Sequence, residues 1–219
     1  LTVAYTRGGT KNAVGIGTIK DQNLPPVDGD ETNTVTEDTP LSVDAANGLL
    51  ANTSDPDGDP AVITGYTLAG IAGTQPVGSP VAIPGVGSLT INADGSYSFT
   101  PAANYTGAIP VITYTVSDGA GGTDTSTLTL SISAVNDAPV VDDQTFSVAE
   151  NSGNNTAVET IVATDVDAGT ALTYTVTGGT GQAAFAVNAA TGEITVANSS
   201  LLNFESTPSF TLNVTVSDN

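Results

Sequence analysis

The chain of 219 residues contains no cysteine, methionine, tryptophan or histidine. Without cysteine it has no disulfide bonds, although their absence does not argue against export from the cell. No stretch reaches the roughly 18 consecutive apolar residues of a membrane-spanning helix. The sequence therefore predicts neither a disulfide-stabilised domain nor direct insertion into a membrane.

Basic residues are almost as scarce. Arg7, Lys11 and Lys20 are the only three, they face 23 acidic residues, and none follows residue 20. Carboxylates beyond that point therefore have no basic partner within the same part of the chain. Two carboxylates about 4 Å apart repel by about 4 kcal/mol at an effective dielectric constant of about 20. Clustered acids must be spread apart, protonated or neutralised by cations from solution. Nucleic acids and anionic membranes are poor partners for such a surface.

The missing residue types also bear on catalysis. With no histidine or cysteine, and no lysine after Lys20, serine and threonine lack an obvious base and Schiff-base chemistry is excluded. A carboxylate pair could serve a glycosidase, but no tryptophan platform accompanies one. We therefore expect no catalytic residues and no enzymatic activity.

The residues that are abundant favour β-structure. The 24 glycines and 12 prolines suit short strands joined by turns. Leu128, Leu130 and Ile132 alternate with threonine and serine, which is typical of a strand with one buried face. Such runs recur at about seven per stretch of about 100 residues, as in an antiparallel sandwich. The sequence predicts an all-β fold of tandem antiparallel β-sandwiches, with seven or so strands each, after an orphan N-terminal hairpin.

The segment 133–139 separates two series of strand-like runs. Pro139 cannot donate a hydrogen bond to a sheet and favours an extended Ala138, so the joint should be short and stiff. The predicted domains are 1–23, a closing hairpin of a preceding repeat with a linker; 24–135, a first full repeat; and 136–219, a second repeat without its last strand.

The two larger domains are repeats of each other. Residues 114–118 match residues 214–218 at an offset of 100, but a further strand follows only in the first repeat. The chain could be a piece of a longer array. Alternatively, the missing strand could be donated from chain to chain by β-augmentation.

Aspartates recur at equivalent repeat positions. Asp55, Asp57 and Asp59 in the first repeat correspond to Asp165 and Asp167 in the second. Calcium takes six to eight oxygen ligands, and carboxylates two residues apart on a loop after a strand can share one ion. This pattern favours calcium binding, with plain solvation of an acidic surface as the alternative. We expect Asp94 to form a turn with Gly95.

Four further acids are expected to be solvated surface charges. They are Glu31, Asp142, Asp143 and Glu159.

The motifs of the second repeat resemble those of bacterial cadherin-like domains. They are Ala149-Glu150-Asn151, Asp165-Val166-Asp167, Leu202-Asn203-Phe204-Glu205, Ser217-Asp218-Asn219 and the linker Asn136-Asp137-Ala138-Pro139. Asn203 replaces the acid of the family's Leu-Asp-x-Glu motif, and Ala138 replaces the second linker asparagine. The fold implied is an immunoglobulin-like or cadherin-like sandwich.

The first repeat resembles the immunoglobulin-like and cadherin-like repeats of giant bacterial surface adhesins of the RTX type. Its Leu49–Asn52 is followed by Asp55–Asp59, as in those repeats. Residues 13–21 resemble the end of a Calx-β repeat.

The resemblance implies calcium ligands in three groups. At the first linker they are Asp21, Asn23, Asp55, Asp57, Asp59 and Asp118. At the central joint they are Asn136, Asp137, Asp165, Asp167 and Asp218, with Glu37 and Asn104 from the preceding domain. Glu150 and Glu205 would belong to a further joint beyond Asn219.

The function implied is that of an extracellular, calcium-rigidified spacer or adhesive stalk in a large bacterial surface or secreted protein. Its partners would be calcium, neighbouring repeats or identical subunits, and the surface of a host or neighbouring cell. Two alternatives stay open: a self-assembling filament subunit joined by strand donation, and a carbohydrate- or protein-binding module.

Overall fold

A computed structural model of the chain describes residues 22–218, together with the backbone of residues 2–5 and 13–16. These two short segments form β1 (Thr2–Tyr5) and β2 (Ala13–Ile16), an antiparallel pair in which Thr2 lies opposite Ile16. The rest of the described chain divides into two compact units, the first ending at Ala134 and the second beginning at Val135. Helical structure in the described residues is limited to two single 3-10 turns, Ala45–Asn47 and Ser199–Leu201. The all-β fold is confirmed.

The first unit is a sandwich of two sheets. Its strands are β3 (Glu31–Thr36), β4 (Leu41–Val43), β5 (Val62–Leu68), β6 (Ile71–Gln75), β7 (Val81–Ile83), β8 (Gly87–Ile91), β9 (Tyr97–Pro101), β10 (Ile112–Ser117) and β11 (Thr123–Ser133). One sheet has the order β3-β11-β10-β5-β6 and the other the order β4-β9-β8-β7.

The core of the first unit follows from the alternation of its strands. Leu89 and Phe99 point inward from one sheet, Ile112 and Leu128 point inward from the other, and all four are fully buried. Threonine and serine occupy most of the alternating outward positions. Each sheet is therefore apolar on one face only, and the two apolar faces pack against each other.

One pairing of the first unit is not antiparallel. β3 runs parallel to β11, with Glu31 opposite Leu128 and Thr36 opposite Ser133. An antiparallel neighbour requires only a tight turn, whereas parallel strands need a long connection. Here almost the whole unit lies between the first strand and the last, so no hairpin dictates their direction.

The second unit has fewer strands than the seven or so expected. They are β12 (Ala157–Thr160), β13 (Thr173–Gly178), β14 (Phe185–Val187), β15 (Glu193–Val196) and β16 (Asn213–Ser217). They form the sheets β12-β15-β14 and β13-β16. Residues 141–149, at the position of β3 in the first unit, belong to no strand.

Candidate metal centres

The first carboxylate cluster consists of Asn23, Asp55, Asp57, Asp59 and Asp118. The Asn23 side-chain amide donates to Asp118 Oδ2 at 2.7 Å. The backbone N–H of Leu24 donates to Asp57 Oδ2 at 2.6 Å, and that of Asp57 donates to Asp55 Oδ1 at 2.8 Å. The Asp59 N–H also donates to Asp55 Oδ1, at 3.2 Å. These bonds connect the linker to the carboxylates of Asp118 and Asp57, and connect the Asp55 carboxylate to the backbone of its own loop.

Local sequence explains the geometry of this cluster. Val27 and Ser54 exchange two backbone hydrogen bonds of 2.7 and 2.9 Å, which fix the linker beside the residue before Asp55. The bond from Asp57 N–H to Asp55 is an Asx turn, the local preference of aspartate in loops. The linker and the Asp-x-Asp loop are thus held together by main-chain hydrogen bonds as well as by the bond from the Leu24 N–H to the Asp57 carboxylate.

Asp118 is held by the loop that follows β10. Its Oδ1 accepts from the N–H groups of Ala120, Gly121 and Gly122 at 2.7, 3.0 and 2.9 Å. The amide of Asn23 lowers the pKa of Asp118, with the backbone donors of the loop adding to the effect. Asp118 is therefore a carboxylate, not a carboxylic acid, at neutral pH.

The second carboxylate cluster consists of Asn136, Asp137, Asp165, Asp167 and Asp218. The Asn136 side-chain amide donates to Asp218 Oδ2 at 2.7 Å. The Asp137 N–H donates to Asp167 Oδ2 at 2.7 Å, and the Asp167 N–H donates to Asp165 Oδ1 at 2.8 Å.

The two clusters repeat one hydrogen-bonding pattern. Val140 and Thr164 exchange backbone bonds of 2.7 and 2.9 Å, as Val27 and Ser54 do in the first unit. The backbone N–H of Leu24 donates to Asp57, and that of Asp137 donates to Asp167, the equivalent aspartate of the second repeat. Of these two donor residues, only Asp137 carries a carboxylate. Two sites separated by more than 100 residues of sequence therefore have the same main-chain framework.

Each cluster contains a buried carboxylate oxygen without a hydrogen-bond partner: Asp55 Oδ2 in the first and Asp165 Oδ2 in the second. Burying a carboxylate oxygen unpaired is costly, and residues 22–218 contain no basic side chain. Oxygen-only donor sets of this kind suit hard divalent cations, calcium above all. The residues present fit a calcium ion in both clusters.

Glu37 and Asn104 are the two remaining expected ligands that belong to the first unit. Glu37 directly follows β3 and is buried, with its N–H donating to Ser133 O at 3.0 Å. Asn104 is exposed, and its N–H donates to Asp38 Oδ1 at 2.8 Å. These contacts bring Glu37 and Asn104 to one region of the first unit.

In the second unit, Glu150 lies beside the Leu202–Glu205 motif. Its Oε2 accepts from the Phe204 N–H at 3.2 Å, while Glu205 itself is exposed. Asp21 lies outside the described residues. Ligation by any of these residues stays a prediction.

The expectation that Glu31 is a solvated charge is wrong. Glu31 is half-buried, and burial raises its pKa. The fully buried Tyr114 donates its hydroxyl to Asp28 Oδ2 at 2.7 Å and also contacts Glu31 Oε2. Sequence reasoning missed these polar partners of Tyr114, because more than 80 residues separate them from it and no local pattern links them.

Two sandwich units, each with an entering segment hydrogen-bonded to an Asp-x-Asp loop, define the chain as a tandem of cadherin-type repeats. Comparison with protein families agrees: residues 23–134 match the bacterial cadherin-like domain and residues 144–219 match the cadherin domain. The chain belongs to the bacterial cadherin-like family. Domains of this kind are extracellular, typically bind calcium and are generally non-enzymatic.

Solved cadherin structures share the fold. Mouse cadherin-23 EC22-24 is 22% identical with a TM-score of 0.60, over 90% of this chain and 61% of that one. Drosophila N-cadherin EC1-4 is 16% identical with a TM-score of 0.52, over 87% and 44%. The chain thus spans less than two thirds of the length of either structure. No curated protein matches it.

Among the described residues, no helix is long and apolar enough to cross a membrane.

Proposed function

We propose that the chain is a calcium-rigidified spacer within a large bacterial surface protein. The observation that carries the proposal is the double occurrence of one hydrogen-bonding framework, each copy with a buried carboxylate oxygen lacking a partner. An acidic surface that was merely solvated would not require the same hydrogen-bonding framework in both units.

Calcium would be held by the two clusters as units. In the first unit the ligands would be Asn23, Asp55, Asp57, Asp59 and Asp118, joined by Asp21. In the second unit they would be Asn136, Asp137, Asp165, Asp167 and Asp218. The bound ion supplies positive charge that no side chain of residues 22–218 can provide.

The mechanical consequence follows from what these clusters contain. Asn23 and Asn136 lie on the segments by which the chain enters each unit, and both already donate to an aspartate after a strand. An ion shared by those aspartates and the linker would hold each entering segment against its own unit. A chain of repeats fixed in this way resists bending, which is what a spacer or stalk requires.

Glu37 and Asn104 in the first unit, and Glu150 and Glu205 in the second, would contribute ligands to joints with a following repeat. Neighbouring repeats would be the immediate partners, and the surface of a host or neighbouring cell would be the distal one.

The proposal is tested by thermal unfolding and small-angle scattering in millimolar calcium and in excess EDTA. At an ion concentration of 100 times Kd, each site adds about 2.7 kcal/mol to the free energy of unfolding. We expect a large increase in melting temperature with calcium, and a shorter, more flexible particle in EDTA. Identical curves in the two buffers would refute calcium binding and leave the acidity as solvation.

Single substitutions separate the two sites. Asp55→Asn should remove the calcium-dependent stabilisation of the first site alone, and Asp165→Asn that of the second alone. Both should leave stability in EDTA unchanged or slightly higher, because each removes a repelling charge. Glu159→Gln, at an exposed carboxylate of β12, is the matched control and should keep the full calcium response.

A further inference from the structure

Residues 27–30, which precede β3, are attached to the first unit by polar contacts with β11. The Asp28 N–H donates to Asp124 Oδ2 at 2.9 Å, and Asp30 Oδ1 accepts from the Thr127 N–H at 2.8 Å. Both partners belong to β11. The 27–30 segment thus lies along the start of β11, and its acids are held against the sandwich.

The Tyr114 hydroxyl lies between two carboxyl groups, those of Asp28 and Glu31. Its oxygen is 2.7 Å from Asp28 Oδ2 and also contacts Glu31 Oε2. Tyr114 is fully buried, and Glu31 Oε1 is buried without a hydrogen-bond partner. No basic side chain exists in residues 22–218 to balance these acids. Two carboxyl groups therefore share one phenol hydroxyl in surroundings that supply no positive charge.

The number of protons available decides whether this contact is favourable. The Tyr114 hydroxyl has one proton and can donate to only one carboxylate. If both carboxyls are ionised, one buried contact has no proton and the two negative charges repel. If Glu31 is protonated, its O–H can donate to the Tyr114 oxygen while the Tyr114 O–H donates to Asp28 Oδ2. Each contact then contains one proton, and the pair carries one negative charge instead of two.

The groups around Glu31 bear on which form is populated. The titratable groups that face it are Asp28, Asp30, Tyr97 and Tyr114, with Asp124 beside Asp28. Burial raises the pKa of Glu31, and the nearby carboxylates act in the same direction, whereas the Tyr114 hydroxyl and the Asn52 amide oppose them. Burial also raises the pKa of both phenols. The phenols therefore keep their protons over the range in which the carboxyls titrate.

We propose that Glu31, Tyr114 and Asp28 form a proton-operated latch that holds the 27–30 segment on the first sandwich. The latch is closed when one proton links the two carboxyl groups through the Tyr114 oxygen, and it loosens when both are ionised. The switching element is the 27–30 segment itself, which is either docked against β11 or released from it. Calcium is not part of the latch, so the proposal does not rest on the calcium sites.

The latch should be strongest in mild acid. A carboxyl whose pKa is raised in the folded state stabilises the docked form fully below its unfolded pKa, and that contribution is lost as pH rises through the folded pKa. Metal binding by carboxylates has the opposite dependence, because its ligands must be deprotonated. The latch would therefore hold the entry to the first unit under conditions that weaken calcium binding.

Amide hydrogen exchange of the 219-residue protein in EDTA tests the latch. The reporting amides are those whose hydrogen bonds hold the segment: Val27, Asp28, Ser54 and Thr127. After correction for the intrinsic effect of pH on exchange, we expect their protection to fall at least about tenfold between about pH 5 and about pH 7.5. At neutral pH they should exchange faster than the amides of β8, because the segment opens without unfolding of the core.

Two substitutions separate the proton from the hydroxyl. Glu31→Gln should keep the acid level of protection at every pH, because its neutral amide can donate to the Tyr114 oxygen as the protonated carboxyl does. Tyr114→Phe keeps the buried ring but removes the link, and should lower protection in acid. Glu159→Gln, at an exposed carboxylate of the second unit, is the matched control and should leave the pH response unchanged.

A carboxyl-carbon NMR titration gives an independent measurement of the shared proton. We expect Asp28 and Glu31 to titrate as a coupled pair, with one step above the ordinary glutamate range. Titration of both groups in their ordinary ranges would overturn the proposal. Protection of the segment that does not change with pH, or an unaltered pH response in Glu31→Gln, would also overturn it. All these results are obtained in EDTA, so they are distinct from any failure of the calcium sites.

Discussion

At the scale of single residues, the Tyr114 hydroxyl is the most constrained group in the first unit. It donates to Asp28 Oδ2 at 2.7 Å, contacts Glu31 Oε2, and lies 3.3 Å from Gly29 O and 3.4 Å from Leu49 O. A hydroxyl has one proton to donate, so it cannot satisfy two carboxylates at once. Burial raises the pKa of Glu31, and the negative charges of Asp28 and Asp30 act in the same direction. These influences disfavour the ionised form of Glu31 in the folded state.

This arrangement predicts the pH dependence of the first unit. A carboxyl whose pKa is raised in the folded state stabilises the fold fully below its unfolded pKa, and that stability is lost as pH rises through the folded pKa. We expect the urea midpoint of the first unit in EDTA to fall as pH rises from about 4 toward neutrality. Glu31→Gln should remove this component, because glutamine stays neutral.

The groups that face Glu31 are the acids Asp28 and Asp30, the side-chain amide of Asn52, and the hydroxyls of Tyr97 and Tyr114. Asp94 provides a control of opposite sign. The Ser96 hydroxyl lowers its pKa, so its contribution is lost as pH falls rather than as it rises. If Asp94→Asn and Glu31→Gln removed the same part of the dependence of the urea midpoint on pH, the assignment to Glu31 would be wrong.

At the scale of elements, the loop between β10 and β11 positions Asp118. A Cβ atom on Gly122 would lie 2.1 Å from Asp118 Oδ2 and 2.6 Å from Pro25 Cα, both impossibly close. The missing side chain lets the loop and the linker meet at the carboxylate. Only a glycine allows this approach.

Gly122→Ala should therefore disturb the calcium site that we propose for the first unit, without any change of charge. We expect the calcium-dependent rise in melting temperature at that site to shrink markedly, as measured in parallel melts with calcium and with EDTA. Gly153→Ala is the control, since a Cβ there meets nothing within 4 Å. A full calcium response in Gly122→Ala would argue against Asp118 as a ligand.

At the scale of the whole molecule, the two units have unequal cores. The buried apolar residues number 16 in the first unit and six in the second among the residues that the structure describes. Burial of apolar surface is the main source of folding stability. The second unit should consequently be the less stable one.

Unfolding in EDTA should show two transitions, the lower belonging to the second unit. Leu89→Ala, at a fully buried position of β8, should destabilise only the upper transition by about 2–5 kcal/mol. Ile194→Ala in β15 should shift only the lower one. Calorimetry resolves the transitions, and a single cooperative transition moved by both substitutions would contradict independent unfolding.

Local patterns in the sequence anticipated much of the fold and of the candidate sites. Alternation of apolar and hydroxyl residues predicted strands such as β11, because side chains of a strand point alternately to either face. The Asp55/Asp57 and Asp165/Asp167 pairs were visible because an Asx turn is built from residues two apart. Such features depend on neighbours in sequence.

Other features depend on distant contacts and could not be read in this way. The parallel pairing of β3 with β11 joins segments nearly 100 residues apart. The contact between Tyr114 and Glu31 spans 83 residues. Alternation of side chains along β10 indicates only that Tyr114 faces the core, and it does not indicate that the hydroxyl meets a carboxylate.

The sequence by itself determined that this protein is an all-β tandem of acidic repeats without internal cationic partners, because composition and short-range periodicity fix those properties. The tertiary structure decided which aspartates are hydrogen-bonded to each linker and which of their oxygens are buried without partners. Convergence and burial arise only when strands distant in sequence pack against one another.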